Sequence, residues 1–184
     1  MPSIRHNAED RYLDAARENI LAVGWRRTTL TDVAKRAGVS RMTIYRRWPD
    51  MQTLLADLLV REWRKVVDPA LESGDLADGV VVTISALREE PLFRRIVEVD
   101  PEVLLPYVLV RRGRNQDRVL ALLTAAVERG QQEGTVRAGD AARMAAALML
   151  ALHGFLLSTP TVPEVPVEEL DAELRDLVER YLAP

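Results

Sequence analysis

Two short apolar-periodic segments meet at Gly38, and their chemistry leaves little freedom in how residues 29–48 fold. Thr29-Leu-Thr-Asp32 has the form of a capping box, with aspartate where glutamate or glutamine is usual. It opens a helix whose apolar face is Leu30, Val33, Ala34 and Ala37. Gly38 stops that helix, and Ser40 caps a second one that runs to Arg47 or Trp48. Ala34 lets the two helices approach closely, while Gly38 can take the positive-φ conformation of a tight turn.

The rest of the chain continues in helical periods broken by glycine and proline. Leu13, Ala16, Ile20 and Val23 recur at three- and four-residue steps before Gly24. Pro49-Asp50 opens a longer helix bearing Leu54, Leu55, Leu58, Leu59 and Trp63, expected to reach about Val67. Helices are then expected over 80–88, 92–99, 102–110, 117–132, 141–157 and 167–182. Residues 80–84 have strand propensity, but no partner strand is evident, so they are assigned to a buried helix. The expected fold is all-α, with about nine or ten helices.

Several function classes drop out on composition. The 184 residues include no cysteine, which removes disulfides, zinc–thiolate sites and thiol catalysis, and suits a reducing cytoplasm. The start, MPSIRHNAEDR, has no apolar stretch of the kind a signal peptide needs. Residues 144–157 carry no charge apart from His153, yet fall short of the roughly 18 apolar residues of a membrane span. They are expected to form a buried helix. His6 and His153 are the two histidines, so a His-rich metal site is excluded and neither metal nor cofactor is expected. The paired acids Glu89-Glu90 and Glu168-Glu169 are adjacent, and on a helix they point about 100° apart. They do not converge, and no nucleophile–base pair or phosphate loop accompanies them; an enzyme is not expected.

Charge is unevenly distributed. Residues 1–67 carry 13 Lys and Arg against 8 Asp and Glu, a balance of +5, whereas 68–184 carry 12 against 20. A basic head on an acidic body points to a polyanion partner for the head. On the second short helix, Ile44 and Trp48 define the inward face. Met42, Thr43, Tyr45 and Arg46 lie opposite, with Arg41 and Arg47 on the flanks. That arrangement suits insertion in a DNA major groove, central side chains meeting base edges and flanking arginines holding phosphates. The alternative is a binding module whose basic head grips a protein or a nonspecific polyanion.

The stretch ILAVGWRRTTLTDVAKRAGVSRMTIYRRWPDMQTLLADLL, residues 20–59, resembles the TetR family of bacterial transcriptional regulators. It carries the family's T-x-x-x-[IV]-A-x-x-A-G-V-S and [TS]-[LIV]-Y-x-x-[FW] patterns in order and spacing. The resemblance implies a DNA-binding helix-turn-helix in which Thr29 caps the first helix and presents its amide end to a phosphate. Arg41, Met42 and Thr43 then approach bases, Tyr45 sits against the DNA backbone or a thymine methyl, and Arg46 and Arg47 add contacts, with Ser40 as cap. Two positions depart from the family habit: Met42 stands where a small residue is common, and Met51 where a phosphate-binding lysine is usual.

The resemblance further implies a regulatory body that binds a small-molecule effector and pairs two subunits through two helices from each. Residues 141–157 are apolar nearly all round and 167–182 carry one apolar stripe. The candidate interface is Met144, Leu148, Leu152, Leu156, Leu170, Leu174, Leu177 and Tyr181, unless both helices simply complete a monomeric core. Candidate pocket residues are Leu87, Phe93, Tyr107, Met149, His153 and Phe155, each of which also suits a core. The expected organisation is a DNA-binding domain over 1–50, a connecting helix over 51–67 and a regulatory and dimerisation domain over 68–184. The expected function is a cytoplasmic homodimeric repressor, with no membrane partner, released from a palindromic operator by its effector.

Overall fold

A computed structural model describes the backbone of residues 4–71 and 75–184, and the side chains of 8–69 and 75–184. His6 lies outside the described side chains. Among the described residues there are ten α-helices and no strand. They are α1 (Ile4–Val23), α2 (Leu30–Arg36), α3 (Arg41–Arg47), α4 (Met51–Leu71) and α5 (Leu76–Glu89). After these come α6 (Pro91–Val99), α7 (Leu105–Leu109), α8 (Arg114–Glu133), α9 (Ala141–Leu157) and α10 (Val167–Leu182).

Most of these follow the expected periods, and residues 80–84 are helical within α5. Two differ. α4 runs through Pro69 to Leu71, beyond the expected end. The single helix expected over 102–110 is instead a 3-10 turn at Pro101–Val103 followed by the five-residue α7. Pro106 stands in the first turn of α7, where its missing N–H costs nothing, and so marks a new helix start rather than a helix interior.

The helices form two compact units, residues 1–62 with 89–111, and 63–88 with 112–184. In the first, Leu13, Ala16 and Ile20 of α1, Leu30, Val33 and Ala34 of α2, and Ile44 and Trp48 around α3 share one core. Leu54, Leu55 and Leu58 of α4 and Leu92 and Ile96 of α6 complete it. α6 therefore packs with the N-terminal helices, and two polar links fix it there. Arg17 of α1 reaches Glu90, the cap of α6, at 3.2 Å, and buried Asp100 at its other end accepts the Trp25 N–H at 2.7 Å. Gly24, at φ 87°, turns the chain beside that carboxylate, where a Cβ would come within 3.0 Å of it.

The second unit is built on α8 against α9, with Leu123, Val127, Met144, Ala145, Leu148 and Leu152 buried. α10 contributes Leu174, Val178 and Leu182. Ion pairs Arg88–Asp171 and Arg118–Asp68 tie α5 to α10 and α8 to α4. Among the described residues no helix is long and apolar enough to cross a membrane.

Candidate nucleic-acid interface

The geometry of residues 29–48 grows out of local chemistry. Thr29 accepts the Asp32 N–H at 3.2 Å, and Asp32 accepts the Thr29 N–H at 3.0 Å and its hydroxyl at 2.6 Å. The box thus closes with an aspartate, and these hydrogen bonds from Thr29 hold the Asp32 carboxyl below its ordinary pKa. α2 ends in a turn in which the Gly38 N–H donates to Lys35 O and the Val39 N–H to Ala34 O. Gly38 has φ 68°, and nothing lies within 4 Å of where its Cβ would be, so backbone conformation rather than space demands glycine.

α3 then starts at Ser40, whose hydroxyl accepts the Thr43 N–H at 3.2 Å and lies 2.9 Å from the Thr43 hydroxyl. Ile44 and Trp48 are fully buried. Tyr12 packs edge-on against the Trp48 ring, with centroids 6.3 Å apart, and the indole N–H donates to Asp57 at 2.7 Å. These contacts hold the helix on its inner side. On the outer side Met42 is 67% exposed and Tyr45 46% exposed, with Arg41 and Arg46 also exposed. Neither Arg41 nor Arg46 pairs with an acid among the described residues, so both guanidiniums are available to an incoming phosphate or base.

Arg47 stands apart from the other two arginines. Its guanidinium makes a two-pronged contact with Glu9 of α1, at 2.7 and 3.1 Å, and lies over the Trp48 ring at 5.6 Å. The hydrogen bonds to Glu9 raise its pKa, so it stays charged, but that charge already has a partner. Arg47 lies on the flank of that outer side, about half exposed, with its guanidinium held by Glu9. Thr29, Ser40 and Thr43 lie where expected on the chain, with their hydroxyls engaged in helix caps. An open basic hollow formed by Asn19, Arg27, Lys35 and Arg36 adjoins α1 and α2, a feature with no motif to announce it.

In the second unit a mostly apolar cavity of about 50 Å³ opens between α4, α5, α8 and α9. Leu87, Met149 and His153 line it, together with Trp63, Val67, Thr83 and Gln116. The six expected pocket residues therefore do not gather in one place. Phe93 is buried on α6 of the first unit, and Tyr107 borders a separate hollow there with Trp25 and Glu102. Phe155 is half-buried on α9 and does not line the cavity, because its position on the helix turns it from the Met149–His153 face.

The eight expected interface residues divide as well. Met144, Leu148, Leu152, Leu156 and Leu174 are buried within the single chain. Tyr181 is half-buried under Arg137, whose guanidinium sits 4.8 Å from its ring and whose Nε donates to the Tyr181 carbonyl. Leu177 is 55% exposed and Leu170 half-buried. α9 leaves Ala147, Leu150, Ala151 and Gly154 exposed along one side, a stripe the sequence pattern merged with the core.

The description of bacterial regulatory proteins of the tetR family matches residues 13–58. An uncharacterized HTH-type transcriptional regulator of Mycobacterium tuberculosis (strain ATCC 25618 / H37Rv) is 31% identical over 187 residues, covering 99% of this chain and 98% of that one. Among solved structures, the transcriptional repressor QsdR of R. erythropolis superposes with a TM-score of 0.72 at 17% identity, over 96% of this chain and 95% of that one. The repressor AlkX of Dietzia sp. strain DQ12-45-1b, implicated in n-alkane biodegradation, gives 0.70 at 21% identity and 94% coverage of each chain.

Proposed function

The chain belongs to the TetR family of bacterial regulatory proteins, and from that premise we propose that it is a homodimeric repressor released from an inverted-repeat operator by a small-molecule effector. Family membership makes it an HTH-type transcriptional regulator rather than an enzyme. The observation that carries the DNA reading is the outer side of α3. Arg41 and Arg46, without acidic partners among the described residues, flank exposed Met42 and Tyr45 on a helix anchored by Ile44 and Trp48.

Recognition divides along that face. Arg46 and Arg41 suit guanine edges or phosphates, and Met42 offers an apolar contact of the kind a thymine methyl accepts. Thr29, Ser40, Thr43 and Tyr45 position the helix against the backbone, and Arg47 supports it through Glu9. Dimerisation is assigned to the uncovered stripes of α9 and α10, with Leu150 and Leu177 as their most exposed leucines, rather than to the buried Met144, Leu148, Leu152, Leu156 and Leu174. The cavity bordered by Leu87, Gln116, Met149 and His153 is the effector site, acting in the cytoplasm where the operator is.

Footprinting of the purified protein on DNA flanking its own gene tests the reading. Protection of two symmetric half-sites is expected, weakening steeply as salt rises. Equal affinity for random DNA would return the chain to a nonspecific polyanion binder.

A further inference from the structure

The first unit carries a hollow of about 240 Å³ to which DNA recognition by α3 gives no role. Its walls come from the turn before α2 (Trp25 and Arg26), the start of α4 (Gln52 and Leu55) and the segment 102–111. The first two stretches flank α2 and α3 along the chain, so an occupant touches both ends of the helix-turn-helix. The space far exceeds the roughly 10–15 Å³ that one water needs. Trp25, Leu55, Val103, Pro106 and Tyr107 give it apolar and aromatic walls, the common lining of a small-molecule site.

The charges around this hollow are unevenly matched. Glu102 pairs with Arg26, and buried Asp100 lies 3.9 Å from the same guanidinium while accepting the Trp25 N–H. The acidic end is therefore already answered by a cation. Arg111 is exposed and pairs with no acid among the described residues. Its guanidinium lies 5.3 Å from the centroid of the Tyr107 ring. Such a contact occupies the face of a guanidinium and leaves its edge N–H donors for a planar anion. The backbone holds Arg111 in place, because the N–H groups of Val110 and Arg111 donate to the Pro106 carbonyl at 3.1 and 2.9 Å. Tyr107 contributes its ring, as a wall and as the platform for Arg111. Gln52 adds an exposed amide, which donates as readily as it accepts and so selects no charge.

We propose that this hollow binds a small aromatic carboxylate, with the carboxylate on the edge of Arg111 and the ring among Trp25, Val103 and Pro106. A neutral analogue of the same shape forfeits the charge-assisted pair with the guanidinium. A cation meets the unmatched charge of Arg111, with Glu102 already taken by Arg26. An anion without a body gains only an exposed ion pair, which contributes little by itself. The site lies wholly in the first unit and is independent of the effector role given to the second unit's cavity.

The test titrates the full chain with benzoate, benzamide and acetate, followed by calorimetry and by tryptophan emission. Benzoate is expected to bind saturably and at least about ten-fold tighter than benzamide, the scale of a hydrogen bond to a charged group, with acetate weaker still. Arg111→Gln should bring benzoate down to the level of benzamide, and since Arg111 is exposed the fold should persist. Arg111→Lys keeps the charge without the planar fork and should recover only part of the difference. The emission change on adding benzoate should vanish in Trp25→Phe and survive in Trp63→Phe, because Trp25 lines this hollow and Trp63 the second unit's cavity. Absence of saturable benzoate binding, benzamide or acetate binding as tightly as benzoate, or full benzoate affinity in Arg111→Gln overturns the assignment. An emission change lost in Trp63→Phe and kept in Trp25→Phe overturns it as well, by placing benzoate in the second unit's cavity.

Discussion

α3 and α9 are both anchored by apolar side chains at helical spacing, but they divide their surfaces differently. α3 has seven residues and buries one of them, Ile44, with Trp48 just beyond its end as the second anchor. Arg41, Met42, Tyr45 and Arg46 face outward, and Thr43 is half-buried. α9 has seventeen residues and buries six, of which Met149, Leu152 and Leu156 also line the cavity, while Ala147, Leu150 and Ala151 form an exposed stripe. A short helix with two anchors declares its free face almost automatically. A long helix that is apolar all round conceals three jobs in one pattern, and only its neighbours separate them.

The contrast can be broken at its anchors first. Trp48→Ala removes a fully buried ring together with its N–H bond to Asp57, and is expected to cost about 3–5 kcal/mol of stability. Denaturant unfolding would show a lowered midpoint, with operator binding lost in parallel; an unchanged midpoint means that Trp48 does not hold α3.

On α9 the comparison is between near neighbours. Leu148→Ala should destabilise the folded chain by about 2–5 kcal/mol, since Leu148 is 4% exposed. Leu150→Glu, on a side chain 68% exposed, should leave the isolated subunit's fold intact and dissociate the dimer. Sedimentation velocity distinguishes them. A dimer that survives Leu150→Glu and Leu177→Glu together moves the interface elsewhere.

Within α3 the arginines themselves should differ. Arg46→Ala is expected to cost about 1–3 kcal/mol in operator affinity, the range of a lost base contact. Arg47→Ala should cost less, because Glu9 already offsets that charge and an exposed pair contributes about 0–1 kcal/mol to the fold. Titrations of both variants against one operator decide the order, and the reverse order would put Arg47 on the DNA and leave Glu9 a resting partner.

The smallest effect lies in the cavity. Burial depresses the His153 pKa from its ordinary 6.5, so the unfolded chain takes up this proton first as pH falls. The contribution is whole above about 6.5 and is lost as pH drops from there through the lower folded-state value. His153→Leu should flatten urea-derived stability between pH 5 and 7.5, and an unchanged slope would place the titrating group elsewhere.

Legibility in the sequence follows the range of the interactions. The cap at Thr29, the turn at Gly38 and the spacing of Ile44 and Trp48 are local choices with local signatures, and each is present in the fold. Arg47 is held by Glu9, 38 residues away, and no periodicity connects the two. The grouping of α6 and α7 with the N-terminal helices depends on Asp100 meeting Trp25 and Glu90 meeting Arg17, contacts that leave no trace in either segment alone. Phe93 and Tyr107 were candidates for the cavity by residue type, and this grouping puts them in the other unit. The cavity's polar pair is likewise split between Gln116 and His153, 37 positions apart.

The most direct test of the central assignment is a footprint on an operator selected from random-sequence DNA. Wild-type protein is expected to protect two inverted half-sites whose centres lie about one helical turn, or a whole multiple of it, apart. Arg46→Ala should lose affinity for that site while retaining its weaker binding to random DNA. A single unsymmetrical footprint, or an Arg46→Ala protein that binds the operator as tightly as wild type, contradicts the placement of α3 in the major groove.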